Sequence, residues 1–137
     1  GSGVPVTMCG LNVTHQALVT PDVVARLEAL GGRLGPVCVE LMTFFAATYR
    51  RLWGFEAPPL HDPVAVARVL DPALVRCVDA HVAVEVTGAH TRGATVVDLH
   101  GRLGRPPNAK VAVELDVPAF WDRVVTALAR LPEQLDQ

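Results

Sequence analysis

The stretch PPLHDPVAVARVLDP, residues 58–72, places a short apolar helix between two Asp-Pro pairs. Aspartate before proline is typical of a helix start, because aspartate accepts bonds from free backbone N–H groups and proline fits the first helical position. We therefore expect Asp62 to cap a helix that begins at Pro63 and breaks at Asp71-Pro72. The buried side of this helix is predicted to comprise Val64, Val66, Val69 and Leu70.

His61, immediately before Asp62, allows two interpretations. In the first, the aspartate only caps the helix and the histidine is an ordinary loop residue, which is the commoner situation for such a pattern. In the second, a proline-stiffened loop presents a titratable imidazole beside a carboxylate at a helix N-terminus. The carboxylate could then bind a hard cation while the imidazole acts as an acid. The local pattern leaves both interpretations open.

Upstream of this stretch, the sequence predicts one strand and a first helix. Residues 4–8 (VPVTM) form an apolar run typical of a short strand, followed by a loop. A helix is predicted over residues 21–30, with Thr20 as its cap, Pro21 at its first position and Gly31 as its stop.

A second helix is predicted from about residue 36 to 52. Apolar residues recur there at three- and four-residue spacing, and Gly54 can end the helix. The following loop, GFEAPPL, contains a glycine and two adjacent prolines, so we expect an ordered connection across the surface. Trp53 and Trp121 are interpreted as packing residues.

Downstream, the pattern changes to the period of a strand. Alternating residues predict a half-buried strand over 78–86, and two further strands are predicted at 94–99 and 110–115. Short connections between sequential strands imply antiparallel pairing. A final helix over 119–131 is introduced by Asp116 and Pro118.

This order of elements predicts an α/β or α+β arrangement. One leading strand is followed by helices, then by a mostly antiparallel three-strand group and a final helix. A single short strand cannot form a sheet. The leading strand must therefore join the later strands or pair with strands absent from this chain.

Composition excludes several classes of protein. The chain has 137 residues, of which 50% are hydrophobic and 19% charged, with a net charge of −2. Scattered basic residues disfavour a nucleic-acid partner, and no run approaches the roughly 18–20 apolar residues of a membrane span. Three distant cysteines, Cys9, Cys38 and Cys77, favour reduced thiols and a cytoplasmic location.

Other candidate sites carry less weight. Asn12 and Thr14 follow a strand end, where backbone often meets ligand, although turn formation explains them equally well. A zinc site is not predicted, because the spacings match no common ligand pattern. Its ligands would have been Cys77, His81, His90 and His100.

Four stretches, taken in order, resemble the C-terminal portion of the inosine-uridine-preferring nucleoside hydrolase family. They are GLNVTHQALVTPDVVARL, PPLHDPVAVARVLDP, TRGATVVDLHGRLGRPPNAKVAVELD and FWDRVVTAL. The match runs from about Val4 to Leu131. It implies that residues 4–137 are the C-terminal portion of a nucleoside hydrolase domain, while Gly1-Ser2-Gly3 resembles the remnant of a cleaved tag.

The resemblance implies an N-ribosyl hydrolase that cleaves nucleosides to ribose and free base. In this family a bound Ca²⁺ grips the ribose hydroxyls and an activated water attacks the anomeric carbon. The ribosyl group becomes oxocarbenium-like, so the departing base requires an acid. By resemblance His61 is the catalytic residue that protonates or orients the base, Asp62 is a calcium ligand, and Tyr49 lines the nucleobase pocket. A half-buried tyrosine at a helix end is an equally good interpretation of Tyr49.

One departure from the family limits what this chain is expected to do. The family's N-terminal motif D-x-D-P-G-x-D-D, which supplies the general base and most calcium ligands, does not occur. One carboxylate cannot hold Ca²⁺, which takes about six to eight oxygen ligands. We therefore expect this chain alone neither to bind Ca²⁺ tightly nor to hydrolyse nucleosides. The high apolar fraction predicts self-association, or a surface that an N-terminal half covers.

Two alternatives remain open from the sequence. The chain could be a truncated, non-catalytic relative that acts as an interaction or oligomerisation module. A hydrolase complete in this length is the more distant alternative. It would need further carboxylates near Asp62, for which the candidates are Glu40, Glu56 and Asp71.

Overall fold

The fold is described from a computed structural model, and the described residues are 3–131. Gly1 and Ser2 of the expected tag remnant lie outside this range, as do residues 132–137. The strands are β1 (Thr7–Met8), β2 (Val75–Val84), β3 (Thr95–Asp98) and β4 (Ala109–Leu115). The helices are α1 (Leu11–Thr14), α2 (Pro21–Glu28), α3 (Leu34–Trp53), α4 (Asp62–Leu70) and α5 (Val117–Ala129), with a 3-10 turn at Pro72–Leu74. Within the described range, no helix has the length and apolar character needed to cross a membrane.

The four strands form one mixed sheet in the order β1-β4-β2-β3. β2 pairs antiparallel with both β3 and β4, which confirms the predicted antiparallel group, but β4 passes β3 and pairs with β2 instead of with its neighbour in sequence. β1 pairs in parallel with β4, with Thr7 opposite Lys110 and Met8 opposite Val111. The leading strand therefore joins the later strands at one edge of the sheet. Together with the helices, this arrangement confirms the predicted α/β class.

Strand boundaries differ from the prediction where local geometry interrupts the sequence pattern. β2 begins at Val75 rather than at residue 78, because a bulge between Arg76 and Cys77 breaks the regular alternation that the prediction relied on. It ends at Val84, so the predicted extension to residue 86 is wrong. β3 spans Thr95–Asp98, so it is one residue shorter at each end than the predicted 94–99.

The first strand begins at Thr7 rather than at residue 4, because β4 begins only at Ala109 and Pro107, before it, has no N–H to donate to a ladder. It ends at Met8, as predicted. The chain turns into α1, where a loop was expected. Asn12 Nδ2 donates to the Ala112 carbonyl at 2.8 Å, and Gln16 Nε2 donates to the Val113 carbonyl at 3.1 Å. Gln16 Oε1 also accepts from the Leu115 N–H at 2.9 Å. These amides satisfy backbone groups that an extended β1 would otherwise pair.

The helices α2 and α3 follow their predicted signals closely. Thr20 Oγ1 accepts a bond from the Val23 N–H at 3.4 Å, which confirms the cap at the start of α2. Gly31, with a φ of 63°, follows the end of α2. Gly54, with a φ of 70°, ends α3 in the left-handed conformation that glycine adopts without steric cost.

The predicted start and buried face of α4 need correction. Asp62 is the first helical residue rather than the cap, and the cap position belongs to His61. Val64 and Ala67 are buried, whereas the predicted Val66, Val69 and Leu70 are exposed. The reason is that α4 buries one narrow row at i and i+3 spacing, and no other described element covers its remaining faces. The predicted break at Asp71-Pro72 is confirmed as the 3-10 turn, with Asp71 Oδ1 accepting from the Ala73 N–H at 3.2 Å.

The core lies between the sheet and the helices, and it centres on α5 and α1. Phe120 and Val13 are fully buried, and Trp121 is nearly so, which confirms Trp121 as a packing residue. Trp53 packs against the Tyr49 ring but is 60% exposed, so it is not part of the core as Trp121 is. It belongs to the apolar face of α3, whose exposed members are Val37, Leu41, Phe44, Phe45, Leu52 and Trp53.

Removing the cap of α5 gives a first testable prediction. Asp116 Oδ1 accepts from the Ala119 N–H at 3.1 Å, as the sequence predicts for a helix start. Asp116→Ala is expected to lower the free energy of unfolding by about 0.5–2 kcal/mol, because it leaves a backbone donor without its acceptor. Urea denaturation followed by circular dichroism measures the loss. Asp116→Asn keeps an acceptor and serves as the control, and equal losses in both variants would contradict the capping role.

Candidate functional site

Backbone hydrogen bonds fix the loop that carries His61. The Val19 N–H donates to the Pro58 carbonyl and the Leu60 N–H donates to the Ala17 carbonyl, each at 2.9 Å. These bonds make a short antiparallel bridge, so the connection is ordered as predicted. The two segments are far apart in sequence, and their pairing brings His61 to the end of α1.

Both ring nitrogens of His61 have hydroxyl partners. Nδ1 lies 2.8 Å from Thr14 Oγ1, and Nε2 lies 2.7 Å from Tyr49 Oη. A hydroxyl can donate or accept by rotating, so the imidazole can keep both bonds whether it is neutral or protonated. The structure thus brings together the two predicted residues His61 and Tyr49. Thr14, which the sequence left between ligand contact and turn formation, contacts the site.

Asp62 does not form the imidazole–carboxylate pair with His61 that one interpretation of the sequence suggested. Within residues 3–131 its carboxylate forms no hydrogen bond, either with the His61 ring or with any other group. The carboxylate is exposed at the first position of α4, where the positive end of the helix dipole favours a negative charge. His61 and Asp62 are therefore neighbours without being a hydrogen-bonded acid–base pair.

Aromatic rings surround His61, and two of them were not singled out from the sequence. The His15 ring lies 5.5 Å from the His61 ring and packs edge-on against Phe55 at 5.2 Å. Tyr49 contacts Phe55 at 5.8 Å and Trp53 at 4.8 Å. His15 directly follows Thr14 and Phe55 directly follows the glycine that ends α3. Only the fold brings these two positions together, so the sequence offered no local signal for them.

A pocket of about 230 Å³ opens beside His61. Its lining includes Met42, Phe45, Tyr49, Pro59, His61 and Asp62. Most of this lining is apolar or aromatic, and its polar side chains are those of Tyr49, His61 and Asp62. Apolar walls with a few oriented polar groups are typical of small-molecule sites, and aromatic faces favour a flat ring.

The surroundings also change the titration of His61. Burial lowers the pKa of its imidazole, the neighbouring His15 lowers that pKa further, and Asp62 opposes the shift.

In a titration followed by NMR, we expect the His61 midpoint to lie below the ordinary value of about 6.5 in the folded chain and to return to it in urea. The unfolded chain then binds the proton more readily. The free energy of unfolding should fall as the pH is lowered from about 6.5 toward the His61 midpoint of the folded chain. His61→Gln should remove this pH-dependent decrease.

The described residues do not by themselves fit a Ca²⁺ site. No group of three or more histidine, cysteine, aspartate or glutamate side chains within residues 3–131 could hold a metal ion. Asp71, one of the suggested additional carboxylates, is engaged elsewhere, because its Oδ2 lies 2.6 Å from Arg123 Nη2. Asp62 offers one carboxylate, whereas Ca²⁺ needs about six to eight oxygens.

Comparison with known proteins identifies the family. The sequence profile described as inosine-uridine preferring nucleoside hydrolase matches residues 1–122. The chain belongs to this family, which confirms the resemblance found in the sequence. It is 41% identical over 128 residues to the pyrimidine-specific ribonucleoside hydrolase RihA of Shewanella woodyi, and 38% identical over 129 residues to that of Klebsiella pneumoniae. The alignments cover 93% of this chain but only 41% and 42% of those relatives, so the chain spans about two fifths of their length.

Solved structures show the same relationship. A purine-preferring ribonucleoside hydrolase from Gardnerella vaginalis superimposes with a TM-score of 0.78 at 34% identity, covering 93% of this chain and 40% of that one. A plant nucleoside hydrolase superimposes with a TM-score of 0.72 at 25% identity, covering 93% of this chain and 41% of that one.

Proposed function

We propose that this chain is the part of a ribonucleoside hydrolase that contacts the departing nucleobase. The supporting observation is the position of His61, held between Thr14 and Tyr49 at the mouth of an apolar pocket. The named relatives are a pyrimidine-specific and a purine-preferring ribonucleoside hydrolase. The reaction would cleave the N-glycosidic bond of a purine or pyrimidine nucleoside to give ribose and free base.

The proposed chemistry follows from the charge that develops on the base. As the glycosidic bond breaks, the ribosyl group becomes electron-poor and the base becomes electron-rich. A proton delivered at the base lowers this barrier, and a positioned histidine typically contributes about 10²–10⁴-fold in rate. His61 would supply or orient that proton. Tyr49 would line the nucleobase pocket, with its hydroxyl on His61 and its ring against Trp53 and Phe55.

The remaining parts of the reaction would come from a second portion of the domain. Asp62 would be one of several calcium ligands only when that portion adds its carboxylates and the general base. The chain alone would neither bind Ca²⁺ tightly nor turn over nucleosides. The unpaired thiols of Cys9, Cys38 and Cys77 support a cytoplasmic location, with nucleoside salvage as the role of the complete enzyme.

A chimera tests this function. The chain would replace the matching segment of the Shewanella woodyi relative, and release of free base from uridine and inosine would be followed by chromatography. We expect hydrolysis by the chimera and none by the chain alone at the same concentration. A chimera that is folded by circular dichroism and monodisperse by gel filtration, yet releases no base from either nucleoside, would contradict the proposal.

A second candidate function is that of an interaction module, which the apolar face of α3 favours. Phe44, Leu52 and Trp53 are exposed together with Val69 and Leu70 of α4. Exposed apolar area of this kind usually marks a contact with another chain or domain. In this alternative the chain associates with copies of itself and has no catalytic role.

Association of the isolated chain can be measured directly. By light scattering after gel filtration, we expect oligomers whose fraction grows with protein concentration. Phe44→Asp on the apolar face should shift the distribution toward monomer, because a charge cannot be buried there without a partner. Thr91→Asp, in the exposed turn between β2 and β3, is the control for the added charge. A chain that stays monomeric at all concentrations would contradict association through this face.

A further inference from the structure

Thr14 is the one buried polar side chain among the described residues, with 4% of its surface exposed. Its hydroxyl forms a single hydrogen bond within residues 3–131, to His61 Nδ1 at 2.8 Å. The bond joins positions 47 residues apart in the sequence. Burial of this hydroxyl depends on its one hydrogen bond, since a polar group without a hydrogen bond is costly to bury.

The direction of this bond follows from what the Thr14 hydroxyl can reach. A threonine in a helix often donates to the carbonyl four residues earlier, which here is that of Gly10. The Gly10 carbonyl already accepts from the backbone N–H groups of Val13 and Thr14, each at 3.1 Å, and no bond from the hydroxyl is formed. If Nδ1 carried the proton, the O–H of Thr14 would be buried without an acceptor. An unused oxygen lone pair costs less than an unused donor.

We propose that Thr14 is a positioning residue for His61, whose hydroxyl donates to Nδ1 and thereby keeps the ring proton on Nε2. Nε2 is the nitrogen that lies 2.7 Å from Tyr49 Oη, on the side of the pocket. The hydrogen bond at one imidazole nitrogen determines which nitrogen carries the proton in the neutral ring. At a pH well above the ordinary histidine pKa of about 6.5 the ring is neutral and carries one proton.

The consequence for catalysis rests on the proposed function. A neutral imidazole that stabilises the departing base by donating a hydrogen bond must hold its N–H on the side that faces the base. The opposite tautomer would direct the proton at Thr14, away from the pocket. The tautomer itself is a property of the folded chain and is independent of any substrate.

Nitrogen chemical shifts of the histidine rings test the proposal on the complete chain. The sample is labelled with ¹⁵N-histidine and recorded at about pH 8, well above the ordinary histidine pKa of about 6.5. The His61 signals are assigned with His61→Gln. We expect Nδ1 of His61 to have the shift of an unprotonated nitrogen and Nε2 that of a protonated one. A protonated Nδ1 in the unsubstituted chain would overturn the proposal.

Three variants test whether the Thr14 hydroxyl, rather than the shape of its side chain or the Tyr49 hydroxyl, determines the tautomer of His61. Thr14→Val keeps the shape but loses the hydroxyl, so the His61 nitrogen shifts should move toward a mixture of both tautomers. Thr14→Ser restores a donor and should restore the original shifts. Tyr49→Phe removes the partner of Nε2 and should leave the proton on Nε2, because Thr14 still donates to Nδ1. Unchanged shifts in a folded Thr14→Val chain would overturn the proposal.

The same variants in the chimera separate the two proposals. Thr14→Val is expected to lower kcat more than it raises KM, with recovery in Thr14→Ser. An inactive chimera together with the expected shifts would reject the hydrolase function and keep the role of Thr14. An active chimera with a protonated Nδ1 would keep the hydrolase function and reject the role of Thr14.

Discussion

Phe120→Ala is expected to lower the free energy of unfolding by about 3–5 kcal/mol. Phe120 is 0% exposed and packs edge-on against Trp121 with ring centroids 5.3 Å apart. It belongs to the buried cluster that joins α5 to β2 and β4. Protein interiors are close-packed, so the surroundings would fill the missing ring only in part and a cavity would remain. Urea denaturation at fixed temperature, followed by circular dichroism, measures the change.

The same substitution on the apolar face of α3 provides the matched control. Phe44 is 68% exposed, so Phe44→Ala removes an identical group that the core does not use. We expect a change within about 0.5 kcal/mol, measured at a concentration where the chain is monomeric. If both alanine variants lost the same stability, the assignment of the core to α5 and the sheet would be wrong.

His61→Ala in the chimera is expected to lower kcat by about 10²–10⁴-fold, with a smaller change in KM. The expected reason is that the histidine acts on the base as it departs and contributes less to binding of the intact nucleoside. Release of free base from uridine and inosine under saturating substrate gives kcat. Circular dichroism of the variant checks that the fold is retained.

His90→Ala is the control for this substitution. His90 is exposed in the turn between β2 and β3, and it has no part in the proposed site. The control variant should keep the activity of the parent chimera. Full activity in a folded His61→Ala chimera would remove His61 from the catalytic role, even if the chimera itself hydrolyses nucleosides.

Much of the secondary structure could be predicted because its signals are local. Thr20 caps α2 and Asp116 caps α5 within three residues of the groups they bind, and Gly54 ends α3 by its own conformational freedom. The antiparallel pairing of β2 with β3 followed from their short connection, whereas the pairing of β4 with β2 did not. The family, too, was identifiable from the sequence, because its motifs are contiguous.

The predicted strand bounds and buried helix faces were wrong where contacts between residues distant in sequence override the local pattern. β1 starts later than predicted because its partner β4, roughly a hundred positions further along the chain, begins only at Ala109 after two prolines that cannot donate to a ladder. The bulge in β2 hid its first residues from a search for strict alternation. The exposed faces of α4 and α3 are apolar in sequence, and no periodicity could show that the described fold leaves them uncovered.

For the candidate site, the sequence alone predicts that His61 stands at a helix start after a stiff loop, with Asp62 beside it and Tyr49 on the preceding helix. That the partners of His61 are two hydroxyls rather than Asp62 follows from the tertiary contacts. Thr14 reaches the imidazole because the backbone pairing of residues 17–19 with 58–60 closes a long loop. A hydrogen bond between positions 47 apart depends on that closure and leaves no mark in the local sequence, whereas a cap or a helix stop acts within a single turn.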